Sequence, residues 1–549
     1  MNIKKLAMVV CALTMAAGQL GAKEITMKIT ERYLNIPVAQ EVSRKRMTLM
    51  VDGEEVRSFV IRVPTYAPDY YVFVDMSEYL GKTLTISYDA TDRDCRGMDK
   101  IYLSDEIDGQ ASMYKEENRP QLHFTTRRGW INDPNGLVYY DGEYHLFYQH
   151  NPFEREWENM TWGHAVSKDL VHWTELPSAL FPDKLGTMFS GSAVIDYKNT
   201  AGWNQGDTPA MVIAYTAAAP DRQTQCIAYS LDKGRTFTKY EGNPVIDSKE
   251  KWNTVDTRDP KVIWYEPNNE WVMVLNEGGG HSIYTSSDLK EWKYQSHING
   301  FWECPDLFEL PVDGDENNKK WVMYDAPGAY MVGSFDGKQF VPESGKQHYM
   351  SGTLYAAQTY SNIPDSDGRR IQIGWSRVTH PGMPFKGQMG LPTELTLHST
   401  KDGIRLFNKP VKEIDKLQSR KFVSKKNLSA DKGNNALQKY SDEATLRIKL
   451  TMTLSDTAES GLRLYGQDIL RYDPKAHTVN WVAYSPENMT ISADIIVDKT
   501  TFEVFIDGGA YSFYWERKPD ANNKDGFRFY GDDLQIKNLD VYKMNSIWE

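Results

Sequence analysis

A short pattern that recurs at regular intervals is the strongest constraint on how this 549-residue chain can fold. Each copy has a serine, any residue and an aspartate, followed closely by an aromatic side chain. The copies are Ser167-Lys168-Asp169 with Trp173, Ser230-Leu231-Asp232 with Phe237, Ser286-Ser287-Asp288 with Trp292, and Ser334-Phe335-Asp336 with Phe340. Their starts are 63, 56 and 48 residues apart. Although such a turn can recur by chance, this spacing predicts a β-propeller with one four-stranded sheet per blade, and about five units fit between residues 121 and 400.

An aspartate lies in an unusual stretch near the start of this segment, where residues 130–136 read Trp-Ile-Asn-Asp-Pro-Asn-Gly. Pro134 biases Asp133 towards an extended conformation, and the following Asn-Gly pair favours a turn. The carboxylate is therefore expected to be held on a tight bend, with a β-hairpin across residues 137–148. An ordinary loop is the alternative, because the same residue types dominate turns.

Two further acidic motifs have a proline close to a carboxylate. Arg258-Asp259-Pro260 precedes a strand-like run, and Glu303-Cys304-Pro305 follows a turn-forming Asn-Gly pair. The prolines stiffen the backbone where a side chain must be aimed. Because a propeller gathers residues from different blades around one axis, these acids can meet Asp133 at its mouth. Taken singly, each motif is as well explained by a salt bridge in a loop.

The segment around Asp133 is similar to a known enzyme family. The matching stretches are His123, residues 149–152, residues 157–164 and residues 390–397, together with both acidic motifs in the same order. They closely resemble glycoside hydrolase family 32, which contains the invertases, inulinases and levanases. The resemblance covers residues 121–549 and implies a five-bladed propeller followed by a β-sandwich.

The resemblance also implies a role for each of the three acids. Asp133 matches the nucleophile of the family, Glu303 its general acid and base, and Asp259 the residue that stabilises the transition state by holding sugar hydroxyls. A retaining glycosidase needs two carboxyl groups about 5 Å apart, and its transition state resembles an oxocarbenium ion. The expected reaction is double displacement through a covalent fructosyl-enzyme intermediate.

A second set of residues is expected to bind substrate. It comprises Asn132, Gln149, Trp157, Trp162, Phe189, Ser190, Arg258 and Trp375. Simple packing is the alternative for Phe189, Ser190 and Trp375. The chain departs from the family at Leu354, where the family usually carries an acid before the Tyr355-Ala356 pair. The departure bears on the outer subsites and not on the nucleophile.

The first 22 residues have the features of a secretory signal peptide. Two lysines precede an apolar run from residue 6 to residue 17, and small residues follow up to Ala22. The mature chain is therefore expected to start near Lys23 and to be exported, to the periplasm, the cell surface or the medium. Lipid attachment at Cys11 is the less favoured alternative, because this cysteine lies inside the apolar run. No other stretch is long enough for a membrane span.

Composition argues against several kinds of partner and cofactor. A net charge of −12 without a Lys/Arg-rich groove argues against nucleic acid. His164, His172 and His281 are not at metal-ligand spacing, and hydrolysis by two carboxylates needs no metal or other cofactor. Three cysteines remain after the signal peptide, too few for a disulfide framework. Cys304, beside Glu303, is predicted to be a partly buried free thiol.

The expected fold class is all-β. The predicted segments are a signal peptide (1–22), an N-terminal β module (23–118), a five-bladed β-propeller catalytic domain (119–405), a linker helix (406–420) and a C-terminal β-sandwich (421–549). Alternating β-branched residues predict the strands of the first module, which has no clustered acids, so packing or docking is its expected role and weak carbohydrate binding the alternative. Asn408 is the expected N-cap of the linker helix, with Val411, Ile414 and Leu417 on one face.

The leading hypothesis is an exported retaining β-fructosidase that acts on levan, inulin or sucrose. Exo-action is favoured because a closed axial pocket admits a chain end, and endo-action is the alternative. Three other functions are consistent with the composition: fructosyl transfer to another sugar, a non-catalytic sugar-binding propeller, and an enzyme directed at arabinan or xylan. The three acids favour an enzyme, and the Asn-Asp-Pro-Asn-Gly motif favours fructans. Linkage preference depends on the loops around the pocket, which the sequence leaves open.

Overall fold

The computed structural model describes residues 23–90, 96–517 and 526–548. The predicted signal peptide, Cys11 and Cys95 lie outside these residues. Among the described residues, no helix is long and apolar enough to cross a membrane. The helices in this part of the chain are α1 (Lys249–Trp252), α2 (Ala430–Leu437) and the 3-10 helices Ser77–Tyr79, Arg96–Lys100, Gln110–Ser112, Glu266–Asn268, Lys412–Leu417, Gln438–Tyr440 and Glu487–Met489.

The N-terminal module is built from two small sheets that share one apolar core. Its strands are β1 (Lys23–Lys28), β2 (Tyr33–Val38), β3 (Lys45–Val51), β4 (Glu54–Ile61), β5 (Tyr70–Asp75), β6 (Thr83–Tyr88) and β7 (Tyr102–Ser104). The sheet orders are β1-β6-β3-β4 and β5-β2-β7. Side chains that alternate along the strands, such as Leu34, Leu49 and Ile86, are completely buried between them. The period-2 pattern thus produces a half-buried surface on each sheet.

The central part consists mainly of antiparallel sheets whose strands follow one another along the chain. The strands are β8 (Gly129–Tyr140), β9 (Glu143–Asn151), β10 (Thr161–Ser167), β11 (Trp173–Leu180), β12 (Thr187–Asp196), β13 (Ala210–Ala219), β14 (Arg222–Ser230), β15 (Thr238–Lys239), β16 (Arg258–Tyr265), β17 (Glu270–Glu277), β18 (Gly280–Ser286), β19 (Lys293–Asn299), β20 (Asp306–Val312), β21 (Asp315–Tyr324), β22 (Ala329–Phe335), β23 (Phe340–Pro342), β24 (Gln347–His348), β25 (Met350–Gly352), β26 (Leu354–Thr359), β27 (Arg370–Ser376), β28 (Phe385–Lys386), β29 (Gln388–Met389), β30 (Thr393–Thr400) and β31 (Gly403–Pro410).

These strands form the sheets expected of propeller blades. Three sheets have the orders β11-β10-β9-β8-β28, β12-β13-β14-β15 and β16-β17-β18-β19. In a fourth, β23-β22-β21-β20 continues through β30-β27-β26. Because that sheet joins two sets of strands through a single parallel pair, Val312 with Leu397, the number of blades stays a prediction.

The recurring serine-aspartate pattern marks the same position in four sets of strands. Every copy lies at the turn from the third strand to the fourth, as at the end of β10, β14, β18 and β22. In the first three copies the serine hydroxyl donates to the aspartate carboxylate at 3.3, 2.7 and 3.1 Å. The sequence repeat therefore reports a repeated turn with a local hydrogen bond.

The C-terminal part is a β-sandwich. Its strands are β32 (Gln418–Ser429), β33 (Leu446–Thr453), β34 (Ser460–Leu464), β35 (Gln467–Asp473), β36 (Thr478–Val479), β37 (Val482–Ala483), β38 (Thr490–Val497), β39 (Thr501–Ile506), β40 (Tyr511–Glu516), β41 (Arg528–Tyr530) and β42 (Gln535–Met544). The sheet orders are β25-β40-β39-β38-β33-β42-β32 and β37-β36-β35-β34-β41. The short strand β25, from the central part, pairs in parallel with β40 and so belongs to a sandwich sheet.

The linker differs from the predicted helix over residues 406–420. Asn408 is not an N-cap but lies inside β31, where its Nδ2 donates to the Tyr514 hydroxyl at 2.9 Å. Pairing with β30 keeps the chain extended to residue 410, and this ladder overrides the local capping signal. Only Lys412–Leu417 is helical, as a 3-10 helix, and its apolar residues Ile414 and Leu417 are buried as expected.

A buried ion cluster joins the central part to the sandwich. His123 Nδ1 lies 2.7 Å from Asp498 Oδ2, and its Nε2 lies 3.0 Å from Glu503 Oε1. Burial alone would lower the pKa of His123, but the hydrogen bonds and charges of the two carboxylates outweigh it and raise the pKa to about 9. The imidazole is therefore charged at neutral pH and bridges two carboxylates of the sandwich.

We expect His123→Gln to lower the melting temperature more at pH 6 than at pH 10. The cluster's contribution is complete below the pKa of an unfolded histidine, about 6.5, and amounts to roughly 3 kcal/mol. It is lost as the pH rises through the folded pKa of about 9. Melting curves of both proteins across this range test the prediction, with His172→Gln at a half-exposed histidine as the control. A difference that does not change with pH would contradict it.

Candidate active site

The Asp133 motif lies within a strand and not on the tight bend that was predicted. β8 pairs with β9 on both sides of the motif, with register shifts between Ile131 and Pro134 and between Asn135 and Val138. The proline and the Asn-Gly pair therefore produce β-bulges in a continuing ladder. Bulges re-aim side chains, and here they turn the Asp133 carboxylate towards the neighbouring strand β12.

A chain of polar side chains holds the Asp133 carboxylate. The Ser190 hydroxyl, near the start of β12, donates to Asp133 Oδ2 at 2.8 Å. With its amide oxygen facing Gln149 Nε2 at 3.0 Å, Asn135 donates to Ser190 Oγ at 3.2 Å. Ser190 and Gln149 were predicted as substrate-binding residues, whereas Asn135 was noticed only for its turn propensity. All three are buried, so they fix the carboxylate in one orientation.

The other two acids are presented by unusual backbone conformations. The φ angles of Asp259, Glu303 and Cys304 are +67°, +46° and +40°. This left-handed region is unfavourable for residues other than glycine and needs support from the surroundings. The Asp259 amide donates to Thr216 Oγ1 at 3.0 Å, and the Glu303 amide donates to Asn276 Oδ1 at 2.9 Å. Buried polar side chains from adjacent strands thus hold both acids.

Cys304 connects the three acids. Its amide donates to Asp259 Oδ2 at 3.0 Å, and its Sγ lies 3.5 Å from the same oxygen and 3.7 Å from Asp133 Oδ2. Burial, together with the nearby carboxylates, raises the pKa of the thiol well above its usual value, so it stays protonated and can donate. Cys304 is free, as predicted, but wholly rather than partly buried.

Glu303 is held by one cation and one hydroxyl. Its Oε1 accepts from Arg258 Nη2 at 2.7 Å, and its Oε2 accepts from the Tyr355 hydroxyl at 2.5 Å. Arg258 is itself fixed by Asp256 Oδ1 at 2.7 Å. Tyr355 was missing from the predicted site. Its only signal was the departure from the family pattern at Leu354, which was interpreted in terms of outer subsites.

The electrostatics of the cluster favour retention of a proton. Burial raises the pKa of Asp133, although hydrogen bonds from Asn132 and Ser190 oppose the shift. Burial, with the charges of Asp133 and Glu303, raises the pKa of Asp259 to about 7 despite the neighbouring Arg258. The three carboxyl groups are therefore not all ionised at neutral pH in the unliganded site, which is typical of acid-base centres.

The remaining predicted residues fall into two groups. Trp157 is 48% exposed, and its ring centroid lies 6.0 Å from that of Phe189, next to Ser190. Trp162 is fully buried, and its Nε1 donates to the Phe189 carbonyl at 2.9 Å. The expectation that Trp162 lines the pocket is therefore corrected: it supports the backbone of Phe189 from beneath and has no exposed face for a sugar.

Two tryptophans, Trp130 and Trp375, pack next to the acid cluster. Asn132 Oδ1 accepts from Trp130 Nε1 at 2.7 Å, and the Trp130 ring lies 5.6 Å from that of Trp375. Trp375 in turn lies 6.5 Å from the ring of Tyr355. Asn132 thus lies next to Asp133 in sequence and forms a hydrogen bond with it. Trp375 lies beside Tyr355, which donates to Glu303.

Neither a metal centre nor a separate cavity competes with the acid cluster in the described part of the chain. Among the described residues, no group of three or more His, Cys, Asp or Glu side chains is arranged to hold a metal ion. A cavity of about 600 Å³ lies at the other ends of β12 and β16, with Trp264, Trp321 and Arg370 in its wall. Its lining does not include the three acids, so the acid cluster and not this cavity is the candidate reaction centre.

Comparisons with known proteins identify the family of this chain. Residues 123–410, just over half of the chain, match the glycosyl hydrolases family 32 N-terminal domain. The chain is 38% identical to a levanase of Bacillus subtilis, over 80% of this chain and 72% of the relative. It is 36% identical to the extracellular exo-inulinase of Aspergillus niger, over 56% of this chain and 68% of the relative.

A solved structure extends the match to the architecture. The exo-inulinase from Aspergillus awamori has a TM-score of 0.68 at 28% identity, covering 79% of this chain and 100% of that chain. The predicted all-β fold, with a propeller and a C-terminal β-sandwich, is confirmed. The motifs around Asp133, Asp259 and Glu303 and the extent of these matches show that the chain belongs to glycoside hydrolase family 32, as a hydrolase of the β-fructofuranosidase type.

Proposed function

We propose that this protein is a retaining β-fructosidase that hydrolyses fructans, levan or inulin, and also sucrose. The observation that carries the proposal is that the carboxylates of Asp133 and Asp259 both contact Cys304, the residue that follows Glu303 in sequence. These acids come from three separate parts of the chain. Asp133 and Glu303 are the two carboxyl groups that retaining hydrolysis requires. The names of the similar enzymes, levanase and exo-inulinase, support fructans as the substrates.

The contacts of each acid suit a different role in double displacement. Ionised Asp133, oriented by Ser190, attacks the anomeric carbon, and the bond from that carbon to the leaving oxygen breaks. Glu303 has to enter this step protonated, and it gives that proton to the leaving oxygen. Glu303 then takes a proton from water, which attacks the fructosyl-enzyme and releases fructose. The Glu303 side chain is 23% exposed, as a group that meets both the leaving group and water needs to be. Asp259 is 4% exposed and suits hydrogen bonding to sugar hydroxyls.

We expect Asp133→Asn to lower kcat by about four orders of magnitude, because one member of a catalytic unit is lost while binding contacts remain. Glu303→Gln should instead slow most strongly the substrates with poor leaving groups, since protonation of the leaving oxygen is its first task. Initial rates of both variants on sucrose, levan and inulin measure these effects.

The matched control is Asp141→Asn. Asp141 lies in the turn of the same β8–β9 hairpin, where its exposed carboxylate pairs with Lys233. Its φ of +49° suits asparagine as well as aspartate, so kcat should stay within about twofold of the wild type. Near-normal rates for both acid variants would show that the catalytic roles assigned to Asp133 and Glu303 are wrong.

Exo-action is the proposed mode of attack. Asp259 is 4% exposed whereas Trp157 is 48% exposed, which suits a pocket that a terminal fructosyl unit enters more easily than an internal one. Free fructose is therefore the expected product from the earliest times of levan and inulin digestion. Chromatography of early samples measures this, and a ladder of oligosaccharides with little fructose would indicate endo-action.

Export is proposed from the first 22 residues and is supported by the extracellular relative. Cleavage after the small residues Gly21-Ala22 makes Lys23 the expected first residue of the native protein. N-terminal sequencing measures this directly. An intact Met1 would contradict export, and a lipid-modified Cys11 would contradict a freely released protein.

A further inference from the structure

The N-terminal module lies before the matched family segment of residues 123–410, and its expected role is packing or docking. It docks on the loop that connects β9 to β10, residues 152–160, here termed the rim loop. This loop carries Trp157. The contacts between module and loop are therefore candidates for a link to substrate binding.

The rim loop completes the apolar core of the module. Phe153 is 2% exposed and packs among the buried residues of the module's two sheets. Its ring stacks on Phe59 of β4, with centroids 3.6 Å apart and planes 8° from parallel. Because close-packed aromatic pairs have a defined geometry, this contact fixes the loop ahead of Trp157.

A buried carboxylate adds a second contact on the same side. Glu154 is completely buried, and its Oε2 accepts from Arg44 Nε at 2.7 Å and from Arg62 Nη1 at 2.9 Å. Arg44 also reaches Glu158 on the other side of Trp157, at 3.4 Å. A buried charge has to stay close to its partners, so the two arginines of the module restrict where the loop can lie.

The loop is also held after Trp157. The side-chain amide of Asn159 forms two hydrogen bonds with the backbone of β4. Its Oδ1 accepts from the Val60 amide at 2.9 Å, and its Nδ2 donates to the Val60 carbonyl at 2.8 Å. The module therefore grips the rim loop on both sides of Trp157.

Trp157 is connected to the acid cluster through Phe189. Its half-exposed ring packs edge-to-face with Phe189, and Ser190 next in sequence donates to Asp133. We propose that the N-terminal module is a positioning element for substrate: it clamps the rim loop so that Trp157 presents its exposed face to a bound fructosyl unit. This inference rests on the proposed function, because it assigns the ligand of Trp157.

The test compares kcat, KM and melting temperature of Arg44→Ala and Asn159→Gly in the full-length protein, with sucrose and inulin as substrates. Glycine at 159 tolerates the φ of +49° while removing both hydrogen bonds to Val60. We expect KM to rise about five- to tenfold with kcat within about twofold. Arg46→Ala is the matched control, because Arg46 is exposed and its guanidinium donates to Ser58 of its own module at 3.1 Å.

A double-mutant cycle with Trp157→Ala separates positioning from general stability. If the module acts through Trp157, Arg44→Ala changes KM by less than about twofold once Trp157 is absent. An equal rise in KM in both backgrounds, or a lower melting temperature without a change in KM, would overturn the inference. A wild type that releases no fructose would contradict the proposed function instead, and fructose binding followed by tryptophan fluorescence would then replace KM in the same cycle.

Discussion

Mutual repulsion among three carboxyl groups around one buried thiol is the constraint on which the rest of the structure depends. Such a cluster is unfavourable unless cations, hydrogen bonds and retained protons offset its charge. Arg258 supplies the cation, Ser190 and Tyr355 supply hydroxyls, and the raised pKa of Asp259 favours retention of a proton. Asp259, Glu303 and Cys304 also have left-handed backbone conformations, which are strained. The packed sheets around them hold these conformations in place.

The architecture explains how acids so distant in sequence can be held together. Asp133 belongs to β8, Asp259 to β16, and Glu303 to the segment before β20, each in a different set of strands. Their supports, Thr216 and Asn276, come from β13 and β17. Each acid is thus fixed from a strand other than its own, so the geometry is a property of several sheets packed against one another.

Local signals predicted much of this structure because the decisive features repeat or recur in short motifs. The serine-aspartate pattern located four equivalent turns, and the proline-flanked motifs located the acids that the structure brings together in the candidate site. The errors share one cause, since strand pairing and burial depend on distant residues. Turn-forming residues at Asp133 became bulges inside a ladder, the capping signal of Asn408 was overridden by pairing with β30, and Trp162 proved fully buried. Tyr355 carries no local mark of its contact with Glu303.

The strand β25 has a consequence for how separable the two large domains are. It leaves the propeller to pair with β40. Position 352 of this strand requires glycine, because a side chain there would collide with the Tyr514 carbonyl. Tyr355, the anchor of Glu303, follows three residues later. A chain cut after the propeller would leave the backbone of β25 without its partner, directly ahead of that tyrosine. The sandwich is therefore part of the scaffold of the candidate site, and a fragment that keeps the geometry of this site has to include it.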